Sequence, residues 1–208
     1  MNRHSPAWLL VAVGTLGTAA GCSGGNTPSP PASSPPSPAA ASLPYGGAPK
    51  VGQALPSSVL SGDPCHNALT AGQLKEILGT TDPPKSENIP ATGPSCRWNH
   101  PDSGAGLNIF YDIRTHQGLS SVYQNTKPRT TTWRPLPLIQ GFPAVAFSIH
   151  TGSDVDNSCD VSVGIADDYT FDAALTLGRG KEGKADPCDL TARVADMVVT
   201  NLRQRAGS

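Results

Sequence analysis

Four cysteines set the frame within which this chain has to fold. Two of them follow an Asp-Pro step, as Asp63-Pro64-Cys65 and Asp186-Pro187-Cys188, and each has a further cysteine roughly thirty residues away, Cys96 and Cys159. Asp before Pro is the grammar of a helix start. The carboxylate caps the first free N–H groups, and proline sits in the first helical position, where its missing N–H costs nothing. Cys159 opens a segment in which Val161, Val163 and Ile165 alternate with Asp160, Ser162 and Gly164, the period of a strand with one apolar face. Cys96 opens another, Cys96-Arg97-Trp98. The chain therefore reads as two halves, each with a helix-start cysteine and a strand cysteine. Four cysteines allow three pairings. The economical one joins Cys65 to Cys96 and Cys159 to Cys188, so that each bridge pins a helix N-terminus to a sheet. No Cys-x-x-Cys occurs, which argues against a thioredoxin-like redox site or a zinc knuckle.

Bridges of this kind require an oxidising compartment, and the N-terminus supplies one. Arg3 precedes an apolar run from Ala7 to Ala20 that is too short to span a bilayer, for which about 20 apolar residues are needed. It has the form of a secretory signal. The run ends in Leu16-Gly17-Thr18-Ala19-Ala20-Gly21-Cys22, small residues placed before a cysteine as in a bacterial lipobox, although position −3 is Ala19 rather than the commoner Leu. Cys22 is the expected lipidation site and new N-terminus, with ordinary cleavage after Ala20 as the alternative. Each methylene of an acyl chain adds about 0.8 kcal/mol of membrane affinity, so two or three chains on Cys22 hold the protein at the outer face of the cytoplasmic membrane. Residues 22–50 are Ser, Gly, Ala and Pro with little else. Such a segment buries too little apolar surface to offset its ordering entropy, so it is expected to be a disordered tether, its prolines favouring extended geometry.

The globular part, residues 51–205, is long enough for a single core. After the first helix start, Thr70 and Gln73 form a capping box for a second helix bearing Leu74, Ile77 and Leu78, with Gly79 at its C-terminus. Residues 80–94, broken by four prolines, read as loop. Leu107, Ile109, Tyr111 and Ile113 alternate, Gly118 to Asn125 reads as a short helix, and Trp133–Ile139 and Ala144–Ile149 read as strands joined around Gly141-Phe142-Pro143. Tyr169–Leu177 is a further strand after an Asp167-Asp168 turn, and a helix runs from Asp186 to about Arg203 with Cys188, Ala192, Ala195, Val199 and Leu202 on one side. The expected fold is α+β: an antiparallel sheet of about five to seven strands, with N- and C-terminal helices packed on it and two disulfides.

Charge excludes one class of partner. The 15 basic and 16 acidic residues give a net charge of −1, and loss of Arg3 with the leader makes it −2. No electrostatic footprint for nucleic acid exists here.

Several motifs together resemble the actinobacterial lipoprotein family known only as domain of unknown function 3558. They are Ala48-Pro49-Lys50-Val51, Asp63-Pro64-Cys65 with Leu69-Thr70, Gly93-Pro94-Ser95-Cys96-Arg97-Trp98, Gly118-Leu119-Ser120, Gly141-Phe142-Pro143-Ala144-Val145, Cys159-Asp160-Val161-Ser162-Val163 and Asp186-Pro187-Cys188. The resemblance spans about residues 48–205. It implies a cell-envelope lipoprotein, and it brings no activity and no catalytic residues with it.

Candidate chemistry is sparse. No Gly-x-Ser-x-Gly elbow occurs, and His66, His100, His116 and His150 are scattered. Cys65-His66 has the residue types of a nucleophile and base, but neighbours on a helix point apart, and a half-cystine is the plainer reading. Asp154, Asp156, Asn157 and Asp160, near Asp167 and Asp168, offer oxygen ligands of the kind calcium takes, without an EF-hand's Gly and terminal Glu. Alternating Asp on a strand is more often its solvated face. Trp133 beside Arg129 and Arg134, and Trp98 beside Arg97, have the makings of a stacking surface for a sugar or peptide, although a core Trp with an outward-pointing charged neighbour is commoner. The expectation is a non-catalytic, lipid-anchored binding or accessory module with no cofactor or metal, whose ligand is an envelope protein, glycan or peptide. The alternatives are an envelope enzyme with an unrecognised site and an accessory lipoprotein of a secretion system.

Overall fold

In the computed structural model, which describes residues 42–151 and 156–207, the two cysteine-bearing halves are the two halves of one sheet. β1 (Lys85–Ile89), β2 (Gly93–Asn99) and β3 (Gly106–Asp112) form one antiparallel meander. β4 (Thr132–Pro135), β5 (Ala144–Ser148), β6 (Ser158–Ala166) and β7 (Tyr169–Thr176) form the other. β3 pairs antiparallel with β7, which gives seven strands in the order β1-β2-β3-β7-β6-β5-β4.

One face of the sheet carries the core. Trp98, Leu107, Ile109, Tyr111, Val161, Val163 and Phe171 lie on it and are buried. The helices α1 (Pro64–Asn67), α2 (Ala71–Leu78) and α4 (Pro187–Arg205) contribute to the same core, with α4 packed across β6 and β7. Each disulfide joins a helix start to a strand on this side, Cys65 to Cys96 and Cys159 to Cys188, with Cα atoms 5.0 Å apart in both. The helix starts are built as the Asp-Pro grammar requires. The Asp63 carboxylate accepts from the Cys65 N–H at 2.8 Å, and that of Asp186 from the Cys188 and Asp189 N–H groups at 2.7 and 3.2 Å. The capping box of α2 is present in both directions, with Thr70 and Gln73 at 2.8 and 3.2 Å, and Gly79 follows with φ of 79°. The buried stripe of α4 is broader than its sequence pattern. Thr191, Val194 and Val198 complete it, whereas Ala192 is half-buried.

The opposite face is crossed by the connection from β3 to the far edge strand β4. Here α3 (Leu119–Ser121) runs on into a π-turn at Val122–Thr126 and a 3-10 turn at Lys127–Arg129. Leu119, Val122 and Tyr123 pack with Val145, Phe147 and Trp133 as a second, smaller core.

Three readings are corrected. Residues 80–94 are not all loop, because Lys85–Ile89 pair with β2 in the register Lys85↔Arg97 and form an edge strand. In the segment leading into α1, Ser57–Leu60 make a 3-10 turn that buries Val59 and Leu60. The strand expected at Trp133–Ile139 stops at Pro135, and Pro137, with no N–H, cannot continue the ladder. The helix expected at Gly118–Asn125 keeps α-geometry for three residues only. Before residue 51, moreover, the chain already holds to the domain. The Tyr45 hydroxyl donates to Gln117 at 2.6 Å, the Tyr45 N–H to Ser120 at 2.9 Å, and the Val51 N–H to Asp167 at 2.8 Å. Cys22, the expected lipidation site, and the segment expected to be its signal lie outside the described residues.

Candidate functional site

The core face does not close at every edge. On α4, Leu190, Val194 and Met197 follow at i, i+4 and i+7, so the helix presents a second apolar stripe beside the one seated on the sheet. On α2, Ile77 and Leu78 form the C-terminal end of the apolar face. At one end the two helices are tied together, where Asn201 donates to Gln73 Oε1 and to the Ala68 carbonyl, each at 2.8 Å. Away from that tie they part over the end of β7, and a cavity of about 390 Å³ remains between them. Leu175 and Leu177 form its floor and Ala105 of the β2–β3 turn its side. That volume is at the lower end of the range for pockets that take small molecules.

The outer wall of the cavity is fixed by a close approach of two turns. Gly178 is buried, and a Cβ on it would stand 2.8 Å from Ser103 Oγ and 3.2 Å from the Ala105 Cβ. Only glycine lets these turns meet without displacement. Arg179 holds them, its N–H donating to the Ser103 carbonyl at 3.0 Å and its guanidinium to the Asp102 carbonyl. Around the opening stand three exposed charges: Arg193 on α4, Lys181 on the turn after β7, and Glu76 on α2.

A second grouping occupies the other face of the sheet. Asp172 on β7 lies between Phe110 of β3 and Ser162 of β6 in register, with Asp112 and Asp160 on its diagonals. Burial pushes the Asp172 carboxyl up to about 7; the negative fields of Asp112 and Asp160 add to this, and hydrogen bonds from Ser162 and Thr170 partly offset it. Burial likewise raises Asp160 to about 6, against the lowering effect of His150. A carboxyl held near neutral pKa can give up or take a proton at physiological pH.

The residues singled out in the sequence are not brought together. His66 is exposed on α1. His100 accepts through Nδ1 from the Asp102 and Ser103 N–H groups at 3.1 and 3.2 Å, holding the β2–β3 turn. His116 stands 4.0 Å from Asp168 and edge-on to Tyr169, and His150 is exposed after β5. Cys65 is a half-cystine, so it pairs with no base. Trp98 is 1% exposed and belongs to the core, while Arg97 points outward and donates to Asn108 at 3.0 Å. Trp133 is half-buried, stacked with Phe147 and edge-on to Tyr123, with Lys127 5.2 Å above its ring. Its neighbour Arg134 turns to the other face and bridges Asp186 and Asp189 at 3.1 and 2.9 Å, and Arg129 donates to the Asn125 carbonyl at 2.9 Å. Of the calcium candidates, Asp154 lies outside the described residues, Asp156 is exposed, and Asp160 is half-buried on β6. Among the described residues, the group with metal-ligand spacing is Asp63, Cys65 and Cys96, whose two sulfurs are already bonded to each other.

Sequence reasoning missed both the cavity and the raised carboxyl. The second stripe of α4, Leu190, Val194 and Met197, was the available signal for the first. The second had none beyond an Asp in mid-strand.

A family model described as "Protein of unknown function (DUF3558)" matches residues 17–201. No curated protein and no solved structure matches the chain. Among the described residues, no helix is long and apolar enough to cross a membrane.

Proposed function

The chain belongs to the DUF3558 family, whose molecular function is unknown, and on that footing we propose that it is a non-catalytic binding module, held at the outer face of the cytoplasmic membrane by lipid on Cys22. The observation that carries the reading is the preformed apolar cavity between α2, α4 and the end of β7. Its walls are set by a capped helix, a disulfide-pinned helix and two turns locked at Gly178. Such a pocket offers an apolar group a ready site, with little left to order on binding. The lipobox and the tether support the location, as they do in the sequence.

The test is complementation of a deletion strain. Met197→Trp fills the cavity and is expected to abolish complementation at normal protein level. Replacing His66, His100, His116 or His150 by Ala is expected to leave it intact. Loss of function in one of these histidine variants, at normal level, would overturn the non-catalytic reading, because loss of a general base acts in that way.

A second reading, an envelope enzyme, draws on Asp172 and Asp160, whose carboxyls are raised to about 7 and about 6 on the face away from the cavity. It requires that Asp172→Asn or Asp160→Asn abolish complementation at normal level. The binding-module reading expects both variants to complement.

A further inference from the structure

The chemistry of the cavity narrows what it can hold. Its interior is aliphatic, supplied by leucine, isoleucine, valine, alanine and methionine side chains, and among the described residues no aromatic ring lines it. Sugars and flat heterocycles are held by stacking on rings, which this pocket lacks. A flexible alkyl chain needs no such surface, and Met197, unbranched and adaptable, suits a chain of variable conformation. At about 390 Å³ the space fits one such chain and not a lipid with two or three.

The opening adds a polarity. Arg193 and Lys181 line it from two different elements, one on α4 and one on the turn after β7. Among the described residues neither side chain has a hydrogen-bond or ion-pair partner, in contrast to Arg97, Arg114, Arg134 and Arg179, which all do. Among the described residues Glu76 is the one carboxylate at the rim, so the cations outnumber it. A guanidinium presents a planar fork that matches the two oxygens of a carboxylate or phosphate, and the ammonium adds a mobile charge.

We propose that the cavity takes a single-chain aliphatic amphiphile with an oxyanion head, its chain lying between α2 and α4 and its carboxylate or phosphate held by Arg193 and Lys181. This rests on the cavity being the binding site, as argued above, and adds the class of ligand.

The test is calorimetric titration of the full chain carrying Cys22→Ala, which bears no acyl group of its own, with four probes of equal chain length: decanoate, decyl phosphate, decanol and decyltrimethylammonium. At least one of the two anions is expected to bind about tenfold more tightly than decanol, and the cation more weakly than decanol. Binding by decanoate alone identifies a carboxylate head, and binding by decyl phosphate alone a phosphate head. The double variant Lys181→Glu with Arg193→Glu, at exposed positions that leave the fold intact, is expected to lose the preference for the anion and keep the affinity for decanol. Met197→Trp is expected to lose both. Equal affinity for anion and alcohol, or a preference untouched by the double variant, overturns the head-group assignment and leaves the cavity as the site. Failure of every probe, decanol included, overturns the cavity reading itself.

Discussion

Asp172→Asn isolates one physical effect, the burial of a carboxyl on the sheet face opposite the helices. In the folded chain the Asp172 carboxyl is raised from its ordinary value of 3.8 to about 7, chiefly by burial. Between those two values the unfolded chain has released the proton and the folded chain has kept it. Stability therefore falls as pH rises from about 4 to about 7, and levels off above that. The gap, at about 1.36 kcal/mol per pH unit, sets a ceiling of about 4 kcal/mol. Asp172 is only half-buried and keeps some hydration, so roughly half that ceiling, about 2 kcal/mol, is the working figure. Asn keeps the shape and still accepts from the Ser162 hydroxyl, but carries no charge at any pH. The assay is chemical denaturation of the full chain with Cys22→Ala, with and without Asp172→Asn, at pH 5 and pH 7.5. Part of the loss is already present at pH 5, so the Asn variant is expected to exceed its parent by about 0.8 kcal/mol there and by about 2 kcal/mol at pH 7.5. Asp160, raised to about 6, leaves a smaller slope in both proteins. Parallel pH curves, or an Asn variant weaker than its parent at pH 7.5, would refute the reasoning.

Two further outcomes follow from the covalent framework. Replacing Cys159 and Cys188 together by Ala releases a loop with a separation of 29 residues and is expected to cost about 3.6 kcal/mol by loop entropy; a loss under about 1 kcal/mol in denaturant titration would count against it. The mass of the intact membrane form is expected to show acyl chains on Cys22, and Cys22→Ala to leave the signal uncut by the lipoprotein peptidase or to release the protein to the medium. An unmodified N-terminus at Gly21 would sink the anchor.

Much of the architecture was legible because local chemistry and global fold agree. The Asp63 and Asp186 caps, the Thr70–Gln73 box and the alternation through Cys159 to Ile165 each state their structure within a few residues. The two bridges then follow from which elements those cysteines start. β1 was not legible, because Lys85, Ser86, Glu87 and Asn88 are all exposed and show no apolar alternation. That segment is a strand through its backbone pairing to β2, and its charges suit a sheet edge. Docking of the chain before residue 51 was hidden by its composition. Tyr45, the single aromatic between Cys22 and Lys50, was the residue that signalled it. The cavity was illegible for a different reason. Leu190, Val194 and Met197 mark a second apolar stripe on α4, but only their arrangement in space with Ile77 and Leu175 shows that nothing fills the gap between them. Asp172 sits where alternation places a solvated residue, and the packing of its neighbours, which no pattern encodes, raises its pKa.

Entry of an apolar ligand into the space between α2 and α4 can be followed directly, because the sequence provides a probe for it. The chain has two methionines, Met1, which lies outside the described residues, and Met197 in the cavity wall. A carbon-13 label on the methionine methyl groups therefore gives a single signal from the pocket, that of Met197. Titration with decanoate or decanol is predicted to shift that signal saturably, and Leu190→Trp to abolish the shift. A Met197 signal that stays in place while either probe binds elsewhere, or while neither binds, would contradict the account.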